Sequence, residues 1–241
     1  MHPRRARNDP RQYDDLVDEW WRPAGEFAAL HWIAQARARL IPPPRPGALL
    51  LDVACGGGLM APHVHGYRHI GVDVTESALR VAAGQGVEAA LARAERLPYG
   101  DGCFDVVVAG EILEHVQDPA AVVAEACRVL APGGTVVVDT IAGTAWARLS
   151  LVAIGERLPG GPPRGCHDPA LFVDPSDLRA MFAAHGVDQQ IRGLSTHPLQ
   201  YLRFLATRRG PVRMRTTARA WSLYQGVGVK AGAGPGQGLS A

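Results

Sequence analysis

A parallel β-sheet covered by helices on both faces is the fold class that this sequence predicts, and two observations predict it. Short apolar runs alternate with helix-like stretches between residues 48 and 139, a pattern that belongs to sheets buried on both faces. The first of these runs, Leu49–Val53, passes directly into the glycine cluster Gly56-Gly57-Gly58. A strand entering a glycine-rich turn is how α/β proteins bring backbone close to a ligand.

Residues 1–11 are basic and lack an apolar run, so they read as a solvated arm, not a signal peptide. Residues 12–46 form a helical cap, with Leu16, Trp20, Trp21, Phe27, Leu30 and Ile33 as its apolar positions. Adjacent Trp20 and Trp21 cannot both face one core, so one of them should face a pocket or a partner. The run Pro42–Gly47 ends the cap. The main domain spans 47–229. Its strands are expected at Ala48–Val53, His69–Asp73, Val87–Leu91, Phe104–Ala109 and Thr135–Asp139, with helices at Thr75–Ala83 and Pro119–Leu130. Residues 142–175 interrupt the alternation as an insertion or lid. A helix at Ser176–His185 has Ser176 as N-cap and Gly186 as stop. Strands at Gln189–Leu194 and Trp221–Val229 complete the domain, and the glycine-rich 230–241 reads as a disordered tail.

Composition narrows the function. Of 241 residues, 47% are hydrophobic and 20% charged, with a net charge of +2. That is enough apolar material for one large domain, without a field that would recruit nucleic acid. The four cysteines, Cys55, Cys103, Cys127 and Cys166, are irregularly spaced. No zinc site or disulfide frame is expected, and the expected location is the cytoplasm. No apolar run is long enough to span a bilayer.

The cofactor loop carries the chemistry. Asp52 ends the first strand's apolar run, and Asp73 ends the second, 21 residues later. A carboxylate at that place can accept both hydroxyls of a ribose. The loop lacks GxGxxG, which favours a mononucleoside-type ligand over a nicotinamide dinucleotide. After the fourth strand come Glu111, Glu114 and His115, at helical spacing i, i+3 and i+4. If that segment is helical, the three share a face. They then suit a divalent metal, Mg²⁺ before Zn²⁺, or His115 acts as a general base, or the groups merely fix the start of a helix.

These segments resemble the class I S-adenosylmethionine-dependent methyltransferases. The loop Asp52-Val53-Ala54-Cys55-Gly56-Gly57-Gly58 is similar to their (D/E)xGxGxG, with Ala54 replacing the first glycine. Alanine is the mildest replacement there, provided that the backbone does not need a positive φ. Ala94–Val107 resembles their third motif, and Leu130–Gly134 the turn before their fifth strand. Three further segments sharpen the likeness to the ubiquinone-biosynthesis O-methyltransferases: Glu19–His31, Glu111–Pro119 and Gly165–Pro175.

The resemblance implies a Rossmann-like, mostly parallel seven-stranded sheet with an N-terminal helical cap and a lid. It implies S-adenosylmethionine bound by Arg37, Asp52, Ala54, Gly56, Gly58, Asp73, Ala94, Glu95 and Gly110, with Arg37 on the methionine carboxylate. It implies Mg²⁺ at Glu111, Glu114 and His115, and methylation of a phenolic or catechol hydroxyl on a prenylated ring. Catalytic candidates are His115, His167 and Glu114; without a metal, His115 or His167 is the base. The segment 144–164 implies peripheral contact with the inner surface of a membrane, or else a soluble lid over the substrate. Six arginines between residues 203 and 219 are a second anionic contact or a solvated face. The competing readings are a methyltransferase of a soluble phenolic compound and a non-catalytic S-adenosylmethionine-binding module.

Overall fold

The computed structural model describes residues 5–232. Eight strands, β1 (Leu49–Val53), β2 (Arg68–Asp73), β3 (Glu88–Leu91), β4 (Phe104–Gly110), β5 (Leu130–Ile141), β6 (Gln190–Thr196), β7 (Met214–Thr217) and β8 (Leu223–Val229), form one sheet in the order β3-β2-β1-β4-β5-β8-β6-β7. β1 to β5 pair in parallel, and β8 runs antiparallel to both β5 and β6. The strand order reverses between β1 and β4, and ligands of open α/β sheets bind at the carboxyl ends of the strands beside such a reversal.

The expected strands fall where their apolar runs lie, because parallel strands covered on both faces bury nearly all of their side chains and read as near-continuous apolar runs. Leu50, Leu51 and Val53 on β1, and Val107 and Val108 on β4, have no exposed surface. The sheet has eight strands, not seven. The eighth is β7, inside the arginine-rich stretch. It is a short edge strand in which only Met214 is buried, so it shows no apolar alternation.

The helices are α1 (Gln12–Asp15), α2 (Ala28–Ala38), α3 (Glu76–Gly84), α4 (Pro119–Val129), α5 (Ala145–Ala147), α6 (Pro175–Ala183) and α7 (Pro198–Thr207). Pro23 and Gly25 divide the cap, so α2 alone is a full helix there. α6 is capped by Asp174, not by Ser176: the Asp174 carboxylate accepts from the Ser176 N–H at 2.8 Å. Proline is preferred at the first helical position, so Pro175 moves the cap upstream of the expected one.

The described residues at both termini make contacts with the rest of the chain. Residues 5–11, although Ala6, Arg7, Pro10 and Arg11 are exposed, are pinned to the lid. Arg7 forks onto Glu156 of the lid, and the Asn8 N–H donates to the Gly165 carbonyl. Residues 1–4 lie outside the described residues. Lys230 is also ordered, its ammonium donating to the carbonyls of Cys127 and Leu130 at 2.7 and 2.8 Å; residues 233–241 lie outside the described residues. The lid 142–175 holds α5, a π-helical turn at Arg148–Ile154 and short 3₁₀ turns. No helix among the described residues is long and apolar enough to cross a membrane.

Candidate active site

A cavity of about 670 Å³ opens at the carboxyl ends of β1, β2 and β4, within the range usual for small-molecule sites. The structure brings Arg37, Asp52, Ala54, Gly56, Asp73, Ala94, Glu95 and Gly110 to its wall. Gly58 is not on that wall. It faces α3, where a Cβ would come within 3.0 Å of Ala82 Cα, so its bareness serves helix–strand packing.

Asp73 accepts the Gly56 and Thr75 N–H groups, each at 2.9 Å, one on each carboxylate oxygen. Each oxygen keeps acceptor capacity beyond these bonds. Burial pushes this carboxyl above its ordinary range, while the two backbone donors pull the other way. The side chain is therefore fixed in direction before any ligand arrives.

Both tryptophans serve the same loop. Trp20 is buried over Gly56 and Gly57, where any Cβ would collide with its ring, and it stacks on Phe27 at 4.3 Å. Trp21 donates its Nε1–H to the Gly57 carbonyl at 3.0 Å. Trp20 also lines the cavity, so one of the pair does face a pocket.

Ala54 stands at φ +58°. Alanine is a mild substitute for glycine only where no positive φ is required, and that condition fails here. Left-handed backbone strains a residue with a Cβ by about 1–2 kcal/mol. Ala54→Gly is accordingly expected to stabilise the protein by about 1 kcal/mol, or a rise of about 2–4 °C in melting temperature, with cofactor affinity equal to wild type or better. A melting curve together with calorimetric titration checks both; a marked loss of affinity would mean that the Ala54 methyl itself is needed by the ligand.

Arg37, on the cavity wall, also holds a partner within the protein. Its Nε and Nη2 both donate to the Asp139 carboxylate at 2.6 Å, in a buried bidentate pair. These bonds use two of the five guanidinium N–H donors, so the Nη1–Nη2 edge still offers a second fork. Only Nη1 makes no hydrogen bond among the described residues. The neighbouring carboxylates keep the guanidinium charged against its burial. Gly110, the register partner of Asp139, is bare because a Cβ there would collide with the Arg37 guanidinium. Its glycine is thus explained by Arg37.

The Glu111–Glu114–His115 face does not form. Glu111 sits at φ +54°, and the chain then enters a 3₁₀ turn at Leu113–His115, so the α-helical spacing does not apply. The ligand atoms that do converge are those of Glu114, His115 and His167, all within 4.8 Å of one another, and a second group is Glu156, Cys166 and His167. Glu111 belongs to neither. Glu114 is fully buried, lies behind the cavity wall, and accepts from Thr140 Oγ1 at 2.8 Å, while its Oε1 has no hydrogen-bond partner.

The two imidazoles stack with centroids 5.1 Å apart. Burial holds His115 down to about 4, and burial together with His115 holds His167 well below the ordinary histidine value. Both are neutral near pH 7. Burial pushes Glu114 up to about 7, and burial with the charges of Glu114 and Asp139 pushes Glu111 well up.

Three residues of the site carry no mark that sequence reasoning could use with ease: Asn8, Tyr13 and Asp139. Asn8 Oδ1 lies 2.6 Å from His115 Nδ1, and the Tyr13 hydroxyl lies 3.4 Å from His115 Nε2. Asn8 has a faint signal: it is one of the few residue types that tolerate a left-handed conformation, and it stands at φ +58° before Asp9-Pro10.

A family described as "Methyltransferase domain" matches residues 51–138. The ubiquinone biosynthesis O-methyltransferase of Thiobacillus denitrificans is 37% identical over 200 residues, 78% of this chain and 86% of that protein. The enzyme of the same description from Ralstonia nicotianae is 38% identical, covering 80% and 88%. Among solved structures, an S-adenosylmethionine-dependent methyltransferase of Thermotoga maritima, described as a possible histamine N-methyltransferase, superposes with a TM-score of 0.65 at 19% identity, over 90% of this chain and 97% of that one. Magnesium protoporphyrin IX methyltransferase of Synechocystis, with bound S-adenosylhomocysteine, gives 0.62 at 15% identity over 92% and 97%. At these identities the structural likeness establishes the fold alone.

Proposed function

We propose, from the premise that this chain belongs to the family of the ubiquinone biosynthesis O-methyltransferases, that it methylates a phenolic hydroxyl of a catechol-type ring bearing a prenyl tail. It is an S-adenosylmethionine-dependent methyltransferase; the ring and the tail are our reading. The observation that carries this reading is that Asp73 and His115 line one cavity, which is also walled by Trp32, Leu151, Tyr201 and Met214. An oriented carboxylate, a neutral imidazole and an apolar wall suit a nucleoside, a hydroxyl proton and a greasy substrate.

The residues fit S-adenosylmethionine. Asp73 is preset to accept ribose hydroxyls, Gly56 is bare, Ala94 and Glu95 lie on the same wall, and Arg37 has one uncommitted nitrogen among the described residues. When bound, the cofactor supplies a methyl on a sulfonium, whose departure as a neutral thioether needs no protonation. The protein's work is to align the hydroxyl oxygen with that methyl and to take the hydroxyl proton. His115 Nε2 takes it as the new O–C bond forms. A weak base suffices, because a phenol oxygen that is gaining a carbon becomes a far stronger acid than the free phenol.

Mg²⁺ does not fit the donors. The converging set is one carboxylate and two imidazoles, chemistry that suits a transition ion, whereas Mg²⁺ takes oxygen ligands. A transition ion at Glu114, His115 and His167 is the second reading, favoured by the unpartnered Glu114 Oε1. Exhaustive chelation is expected to leave turnover within twofold of untreated enzyme. Loss of turnover that manganese or zinc restores, and magnesium does not, would favour the second reading.

Exposed Trp146, Leu149, Ile154 and Leu158 of the lid, with Leu199 and Leu202 of α7 and Trp221, support peripheral contact with a membrane that would present such a substrate. The test of the whole reading is a panel of catechols and monophenols, with and without prenyl tails, scored by mass gain of one methyl. Prenylated catechols should have the highest kcat/KM. Equal rates on short phenols would favour a soluble substrate, and no transfer to any phenol would overturn the reading.

A further inference from the structure

We infer that Asn8 is the positioning residue for His115, fixing its imidazole as the Nδ1–H tautomer so that the lone pair lies on Nε2. The inference rests on His115 as the proton acceptor, and it adds the residue that makes that role specific.

Donor and acceptor pairing around one amide decides the tautomer. Asn8 makes two bonds to the same residue: Nδ2 donates to the His115 carbonyl oxygen at 2.8 Å, and Oδ1 lies 2.6 Å from His115 Nδ1. A carbonyl oxygen only accepts, so the amide nitrogen must face it. The flipped amide would set two acceptors against each other. With Nδ2 fixed in this way, Oδ1 faces Nδ1, and an amide oxygen also only accepts. Nδ1 must therefore carry the proton. A neutral imidazole carries one, so Nε2 is bare. The Tyr13 hydroxyl, 3.4 Å from Nε2, is then the donor of that long contact.

Asn8 is held for this task. Its φ of +58° is a conformation that asparagine tolerates better than most residues with a side chain. Its backbone N–H donates to the Gly165 carbonyl at 3.0 Å. Its neighbour Arg7 forks onto buried Glu156 at 2.9 and 3.2 Å and donates to the His167 carbonyl at 2.8 Å. The chain before the cap is thereby pinned to the lid beside His167. A residue serving only as a tether would not need a side chain that reads both the carbonyl and the ring of His115.

The test uses the full chain with ¹⁵N-labelled histidine and no substrate, with the His115 signal identified by its absence in His115→Gln. Wild type should show the Nδ1–H tautomer. Asn8→Gly keeps the left-handed backbone and its N–H while deleting the amide. It should shift His115 towards the Nε2–H tautomer and lower kcat by about 10–100-fold. KM and cofactor Kd should stay within twofold, with the melting temperature as the folding control. Asn8→Asp keeps an acceptor for Nδ1–H but sets its second oxygen against the His115 carbonyl, so it should restore the Nδ1–H tautomer while recovering only part of the lost kcat. Wild-type His115 in the Nε2–H form, or Asn8→Gly with unchanged tautomer and kcat, overturns the inference. A His115→Ala protein that turns over at the wild-type rate overturns the base reading instead, and with it the catalytic weight of Asn8, while the tautomer stands or falls on its own spectrum.

Discussion

Asp73→Ala is expected to weaken S-adenosylmethionine binding by about a hundredfold to ten-thousandfold. Asp73 is oriented by the Gly56 and Thr75 N–H groups and lies on the cavity wall, so it can accept two ribose hydroxyls without reorganising. Each charge-assisted bond contributes about 1.5–3 kcal/mol, and about 1.4 kcal/mol is a factor of ten in Kd. Deleting the carboxylate also leaves two backbone donors of the loop without their acceptor, which adds to the loss. Asp73→Asn keeps an acceptor and should fall between wild type and alanine. Burial raises this carboxyl above its ordinary value, so affinity should decline as pH falls and the carboxylate gains a proton. Calorimetric titration measures all three proteins, and a melting curve separates a lost contact from a lost fold. An alanine variant within twofold of wild type would remove Asp73 from the cofactor site.

What could be read in the sequence, and what could not, divides by the range of the interaction. Leu49–Val53 and Phe104–Gly110 announce themselves because a strand buried on both faces is apolar along most of its length, with Asp52 and Asp105 as the exceptions here. Gly56 announces the loop because only a bare backbone fits beneath Trp20. These are local demands written on adjacent residues. The role of Arg37 depends on Asp139, 102 positions away, and nothing near either residue marks the pair. The same holds for Asn8 and His115, separated by 107. The failure at Glu111 is of another kind. Its spacing to Glu114 and His115 is a helical spacing only if the backbone is helical, and a left-handed Glu111 leading into a 3₁₀ turn breaks the premise. β7 escapes notice because an edge strand with one buried residue has no pattern to display.

His115→Ala is expected to lower kcat by about a hundredfold to ten-thousandfold, the usual weight of a positioned general base, while cofactor Kd stays within twofold. Burial holds this imidazole down to about 4, below the ordinary 6.5. It is therefore already neutral between pH 6 and 8, and its own titration should not bend the wild-type profile there. The same shift has a stability consequence of definite sign. The unfolded chain takes up a proton at this histidine near its ordinary value and the folded chain does not, so this contribution to stability is full above that value. It is lost as pH falls from about 6.5 towards about 4. In the alanine variant the proton must leave the phenol before attack, so log kcat should climb by about one per pH unit towards the phenol's own value near 10, and wild type should show no such climb. His167→Ala is the comparator. His167 stacks on His115, and its Nδ1 lies 3.3 Å from Cys166 Sγ, so its loss should disturb the ring of His115 without removing the base. A loss under tenfold, with no steep rise towards high pH, is expected. The reverse order, with His167→Ala crippled and rescued by alkali and His115→Ala nearly intact, would assign the proton to His167 and leave His115 as its stacking partner.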